Sequence, residues 1–191
     1  EENAVNLNDK FDCENGAGKI GKRILHDHMP HGILTFREVI EKSSNIGTVK
    51  LASRFGAEKM YKYIQAFGFC EKTGIDLPGE VVGMNRPLSK WTSTSMLAIP
   101  MGQEVTTTAI QLARAISVIA DNGFLVKPRV VKSIIDEEGE TIKEFPLEVT
   151  RKVISPKTAA KMRGLLMGVV QSGTGKKAKM EEFSAGGKTG T

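Results

Sequence analysis

An α+β domain, with helices packed on an antiparallel sheet, is the fold this sequence predicts, and three observations predict it. Helix signals recur from a capping box at Thr35 to a threonine-led helix near position 108. Strand signals gather toward the end, as a hairpin around an acidic turn and a terminal strand. The composition is that of a folded chain: of 191 residues, 40% are hydrophobic and 26% charged, which argues against disorder. The length suits the core of one domain, read here as residues 1–191 of a larger domain incomplete at both ends.

Residues 1–34 are polar and broken by Gly16, Gly18, Gly21, Pro30 and Gly32, which predicts loop with short strands. Thr35-Phe36-Arg37-Glu38 then opens a helix whose apolar stripe is Phe36, Val39 and Ile40. One more turn of that helix places Ser43 and Ser44 on the same inward side, where packing alone favours carbon. Asn45 is the expected cap of the next helix, which buries Ile46, Val49, Leu51 and Phe55 and stops at Gly56. A third helix runs from about Ala57 to Phe67 and stops at Gly68. Turn residues at 76–80 and 85–87 lead into an irregular stretch ending near Gly102.

Thr107 or Thr108 opens a helix expected to bury Leu112, Ala115, Ile116, Ile119 and Ala120, with Asn122-Gly123 closing it. Residues 129–135 and 140–145 read as a hairpin. Ser155-Pro156 starts a final helix with Met162, Leu165, Leu166, Val169 and Val170 inward. Gly173-Thr174-Gly175 predicts a mobile loop, and Phe183 to Thr191 a short strand.

Several function classes are disfavoured at this level. Net charge is +5, but Lys and Arg are scattered, aromatics are only 6%, and no nucleic-acid-binding motif is present. The charge reads as solvated surface, and nucleic acid is not expected as a partner. No apolar run is long enough to cross a bilayer. Cys13 and Cys70 are too few for a disulfide framework and read as free, partly buried thiols. His26, His28 and His31 have suggestive spacing, yet Pro30 and Gly32 make the segment a turn-rich loop without further ligands. No metal site is expected there.

Two short motifs carry the chemistry: Ser43-Ser44-Asn45 and Lys188-Thr189-Gly190-Thr191. The Lys188 ammonium sets a positive potential suited to an anionic substrate. The hydroxyls of Thr189 and Thr191 can donate to a carboxylate such as a peptide C-terminus, and Gly190 leaves room for close approach. An exposed strand edge also pairs with extended peptides. In the other motif Ser43 suits proton relay toward a leaving amine, and Asn45 a hydrogen bond to a substrate amide. Ser44 joins Thr189, Gly190 and Thr191 as an expected substrate contact. Taken singly, a helix junction or a basic surface turn explains each motif equally well. Their joint occurrence, in this order, is the signal.

The chain resembles the transpeptidase domain of class B penicillin-binding proteins, the bacterial enzymes that cross-link peptidoglycan. The likeness covers nearly its whole length. It includes residues 32–38 (GILTFRE), 43–47 (SSNIG), 73–80 (TGIDLPGE), Gly102-Gln103, 111–115 (QLARA) and 186–191 (GGKTGT). The departure is that no Ser-x-x-Lys stands in a setting fit for the nucleophile, and the strands that follow the Lys-Thr-Gly strand are absent. The nucleophile is therefore expected before Glu1, and residues 1–191 alone are expected to be inactive.

The resemblance implies a penicillin-binding-protein/serine β-lactamase-like fold and a serine that attacks the penultimate D-Ala of a stem peptide ending in D-Ala-D-Ala. It gives catalytic roles to Ser43, Asn45 and Lys188, with the acyl-enzyme passed to an amine of a neighbouring strand. Backbone amides, one of them just beyond Thr191, hold the oxyanion. β-Lactam antibiotics trap the acyl-enzyme, and no metal or organic cofactor is implied. Expected partners are a glycosyltransferase or divisome and elongasome proteins. The parent is expected to carry a membrane anchor and to work at the extracytoplasmic face of the bacterial cell membrane. The competing readings are a serine β-lactamase or β-lactam-sensing domain, and a non-catalytic module that binds peptidoglycan or a partner.

Overall fold

The structure is a computed structural model and describes residues 1–21 and 23–190. Its first half comprises β1 (Lys10–Asp12), β2 (Ala17–Ile20), β3 (Arg23–His26), β4 (Ile33–Thr35), α1 (Phe36–Lys42), α2 (Asn45–Phe55), α3 (Ala57–Ala66), β5 (Met84–Asn85) and α4 (Ser95–Ala98). Then follow β6 (Val105–Thr106), α5 (Ala109–Ala120), β7 (Phe124–Val126), β8 (Ser133–Ile135), β9 (Thr141–Glu144), β10 (Val149–Lys152) and α6 (Pro156–Gln171). The chain is α+β, as its pattern predicts, with its strands in two-stranded ladders. Two compact units result. One holds Glu1–Tyr61, Arg86–Val105 and the residues from Ala160 onward; the other holds Lys62–Asn85 and Thr106–Ala159.

In the first unit β1 pairs antiparallel with β4, Phe11 opposite Leu34, and β2 with β3, Gly18 opposite Leu25. Strand alternation turns Phe11, Cys13 and Leu34 inward against Val39 of α1. Leu25 likewise meets Ile46 and Val49 of α2. The capping box at Thr35 is present: the Glu38 amide donates to the Thr35 hydroxyl at 3.3 Å, and the Thr35 amide to the Glu38 carboxylate at 2.9 Å. Bonds from Thr35 hold the Glu38 carboxyl below its ordinary pKa.

α1 ends sooner than its apolar stripe predicts. Ser43 takes a left-handed conformation, φ 56° and ψ 44°, and stops the helix after Lys42. Ser43 and Ser44 therefore do not extend the stripe. Ser44, not Asn45, caps α2, its hydroxyl accepting from the Gly47 amide at 3.0 Å. The left-handed turn brings the Ser44 oxygen over an orphan amide of the new helix, and Asn45 becomes its first residue.

In the second unit β7 pairs antiparallel with β10, and β8 with β9. The acidic turn of the β8–β9 hairpin is closed by Asp136, whose carboxylate accepts from the Glu140 amide at 2.7 Å. Val118, Leu125, Ile154 and Ala159 form the core, with Tyr63 and Phe67 packed against it.

α5 shows a second difference from expectation. Its capping box pairs Thr108 with Gln111, but the buried face is Gln111, Arg114, Ala115 and Val118. Leu112 and Ile116 are 51% and 46% exposed. The reason is hydrogen bonding. Loop and strand carbonyls on the inner side need donors, which Gln111 gives to Glu71 and Val82, at 2.7 and 3.0 Å, and Arg114 gives to Val126 at 2.9 Å.

The last helix buries Leu165, Leu166, Val169 and Val170 of its expected stripe, while Met162 is only half-buried. The strand expected from Phe183 is not formed among the described residues. The Gly187 amide donates to the Leu166 carbonyl of α6 at 3.1 Å, where a strand residue would need a ladder partner. Cys13 and Cys70 are free, and burial raises both thiol pKa values. Among the described residues no helix is long and apolar enough to cross a membrane.

Candidate active site

The two motifs, 145 positions apart, meet in the first unit. The Lys188 ammonium donates to the Ser43 hydroxyl at 2.7 Å and to the Thr189 carbonyl at 3.2 Å. Ser43 reaches this position because its left-handed turn sits between the end of α1 and the start of α2. Partial desolvation of the ammonium lowers the Lys188 pKa. The residue as a whole keeps solvent access, and the desolvated ammonium gives up its proton more readily than that of a free lysine.

Asp27 builds the junction beneath Ser43. Its carboxylate accepts the Ser44 hydroxyl at 2.6 Å and the Ile46 amide at 3.0 Å. An anionic acceptor at the first turn of α2 also suits the positive end of that helix. Ser44, expected among the substrate contacts, is 1% exposed, and its hydroxyl is engaged by Asp27 and Gly47. Here it braces the turn. Asn45 is more open. Its side-chain amide donates to the His26 carbonyl at 3.0 Å, which leaves its oxygen as the group able to accept from a ligand.

At the other motif the Thr189 hydroxyl lies 2.9 Å from that of Thr174. The segment with Gly173 and Gly175, expected to be a mobile loop, is tied down by backbone bonds. Gly173 donates to Gly168, Thr174 to Glu41 and Gly175 to Val169, at 3.1, 3.0 and 2.9 Å. A methyl on Gly190 would meet no described atom within 4 Å, so the fold itself gives no steric reason for glycine there. Thr191 lies outside the described residues.

Asp27 and Thr174 carry parts of this site that sequence reasoning missed. Asp27 had no signal beyond a turn-rich setting between two histidines. For Thr174 the flanking glycines were the available hint. Among the described residues no three His, Cys, Asp or Glu side chains gather as a metal ligand set. A small cleft of about 220 Å³ between the end of α6 and residues 179–185 does not include Ser43 or Lys188.

A serine turn held against the ammonium of a Lys-Thr-Gly segment, on an α+β scaffold, defines a penicillin-recognising domain. The chain belongs to the penicillin-binding protein transpeptidase domain family, whose model matches residues 1–191. It is similar to stage V sporulation protein D of Bacillus subtilis, with 39% identity over 194 residues, covering 100% of this chain and 30% of the relative. It is also similar to the penicillin-binding protein PbpB of Mycolicibacterium smegmatis, 36% identical over 185 residues, covering 92% of this chain and 28% of the relative. The chain thus spans under a third of these relatives. Among solved structures, penicillin-binding protein 3 of Mycobacterium tuberculosis in complex with aztreonam aligns with a TM-score of 0.81 at 32% identity. That alignment covers 91% of this chain and 40% of the other.

Proposed function

We propose that these residues are the motif-bearing part of a serine D,D-transpeptidase that cross-links peptidoglycan stem peptides and is inhibited by β-lactams. The observation that carries the proposal is the 2.7 Å contact between Lys188 and Ser43. A hydroxyl bonded to an ammonium is a two-member proton path: Ser43 hands a proton to the departing D-Ala amine and is resupplied from Lys188. The attacking serine is one that residues 1–191 do not supply. Its acyl-enzyme is then taken by an amine of a second stem peptide.

The remaining residues take complementary roles in this reading. The Asn45 oxygen accepts from the substrate amide, and the hydroxyls of Thr189 and Thr191 hold the terminal carboxylate. Gly190 leaves the backbone open to an extended peptide. Asp27 and Ser44 position Ser43 from below. The reading is supported by the family match and by a relative with a bound β-lactam, the Mycobacterium tuberculosis protein with aztreonam. The parent works at the extracytoplasmic face of the membrane through an anchor outside these residues, alongside polymerising partners.

Fluorescent penicillin tests the proposal. The intact parent is expected to label covalently, and Ser43→Ala and Lys188→Ala to label slowly. Purified residues 1–191 are expected not to label. Undiminished labelling of Ser43→Ala refutes the relay, and covalent labelling of residues 1–191 alone refutes the placing of the nucleophile.

A further inference from the structure

We propose that Thr174 is a positioning residue that supports the Thr189 hydroxyl by donating to its oxygen while Thr189 gives its own proton to an incoming carboxylate. The inference rests on the reading in which Thr189 meets the substrate carboxylate. It starts from the donor inventory of a hydroxyl, one proton and two lone pairs. The Thr174 and Thr189 oxygens are 2.9 Å apart, and in an isolated pair either one can donate. A carboxylate can only accept. When it arrives, Thr189 must spend its single proton outward, and the bond within the pair survives only if Thr174 donates to Thr189. Thr174 thus keeps the Thr189 oxygen hydrogen-bonded while its proton serves the ligand, and it polarises that O–H further.

The geometry around Thr174 is built to hold it still. Its amide donates to the Glu41 carbonyl at 3.0 Å, two residues before Ser43. Its neighbours are held to the last turn of α6 through the carbonyls of Gly168 and Val169. Gly173 lets the loop lie directly on α1, since a Cβ there would come within 2.9 Å of the Glu41 carbonyl carbon and the Val169 Cα. The Ser172 hydroxyl also reaches the Glu41 carboxylate at 3.4 Å. One short loop therefore brackets the end of α1, which leads into Ser43, and the hydroxyl of Thr189.

The experiment uses the intact parent and a fluorescent penicillin, whose carboxylate is the probe. Labelling rates against concentration give a half-saturating concentration and a limiting rate. Thr174→Val is expected to raise the half-saturating concentration roughly two- to tenfold, the range of one lost neutral hydrogen bond, with little change in the limiting rate. Thr174→Ala is expected to match it, and Thr174→Ser to restore the original behaviour. In a Thr189→Val background Thr174→Val is expected to add nothing. An unchanged half-saturating concentration, equal losses in both backgrounds, or failure of Thr174→Ser to rescue overturns this inference alone. Absence of labelling in the unsubstituted protein overturns the acyl-transfer reading and this inference with it.

Discussion

Substituting alanine for glycine at two helical positions, Gly47 in α2 and Gly164 in α6, is expected to change stability in opposite directions. Intrinsic propensity favours alanine at both by about 1 kcal/mol. At Gly164 nothing lies within 4 Å of the added methyl, so the full gain of about 1 kcal/mol is expected. At Gly47 the new Cβ would fall 2.6 and 2.9 Å from the two methyls of Val39 and 3.2 Å from the Cys13 sulfur. Carbon contacts normally settle near 3.5–4.0 Å. Val39 and Cys13 are both 0% exposed, so neither can swing out to solvent. Overpacking of this kind costs about 1–3 kcal/mol, and obstruction by three core atoms places it at the upper end. Subtracting the propensity gain leaves Gly47→Ala destabilised by about 2 kcal/mol, a gap of about 3 kcal/mol between the two variants.

Denaturant unfolding of the intact protein measures that gap, and penicillin labelling measures its consequence. Gly47 sets how closely α2 approaches α1, and Ser43 sits in the turn between them. Gly47→Ala should therefore slow labelling while Gly164→Ala leaves it unchanged. If both variants gain stability equally, the claim that close helix packing places Ser43 is wrong.

Three further outcomes are expected. Desolvation lowers the Lys188 pKa below the ordinary 10.5, so the folded protein disfavours the cation. The unfolded chain binds more protons between the two values, and stability should rise with pH across that window, a rise that Lys188→Met abolishes. The alkaline limb of the labelling rate should likewise begin below 10.5, and a limb at or above that value contradicts the assignment. Arg114→Met removes bonds to the Val126 carbonyl and the Thr150 hydroxyl from a side chain only 3% exposed, and unfolding experiments should show a loss of about 2–3 kcal/mol. Arg114→Lys should not restore it, because an ammonium cannot reproduce the forked geometry. Asp76 accepts from the amides of Val130 and Val131 at 2.7 and 3.0 Å, which holds its carboxyl below 3.8. That clasp should persist at pH 4 and release only as pH falls further, read by the NMR shifts of the two amides; titration above 3.8 would contradict it.

Legibility in the sequence followed how local each determinant was. The capping box at Thr35, the threonine start of α5, the stops at Gly56 and Gly68 and the inward stripe of α6 depend on residues a few positions apart, and all are readable. The inward side of α5 was not. Propensity and apolar spacing point to Leu112 and Ile116, but the carbonyls of Glu71, Val82 and Val126 needed donors, and those lie far off in the chain. The end of α1 was also misread, because a serine in the left-handed region is uncommon and leaves no compositional mark. The expected strand at Phe183 failed for a related reason: a strand is defined by its ladder partner, and Gly187 bonds to a helix carbonyl instead.

The amino-acid order by itself determined the α+β class, the helix boundaries set by caps and glycines, and the two motifs that mark the family. Those are matters of short-range hydrogen bonding and side-chain period. The tertiary structure alone decided that Lys188 reaches Ser43, that Asp27 braces the turn between α1 and α2, and that Thr174 stands against Thr189. Each of these contacts joins residues 15 to 145 positions apart, and only the packing of α1, α2 and α6 sets the distances across them.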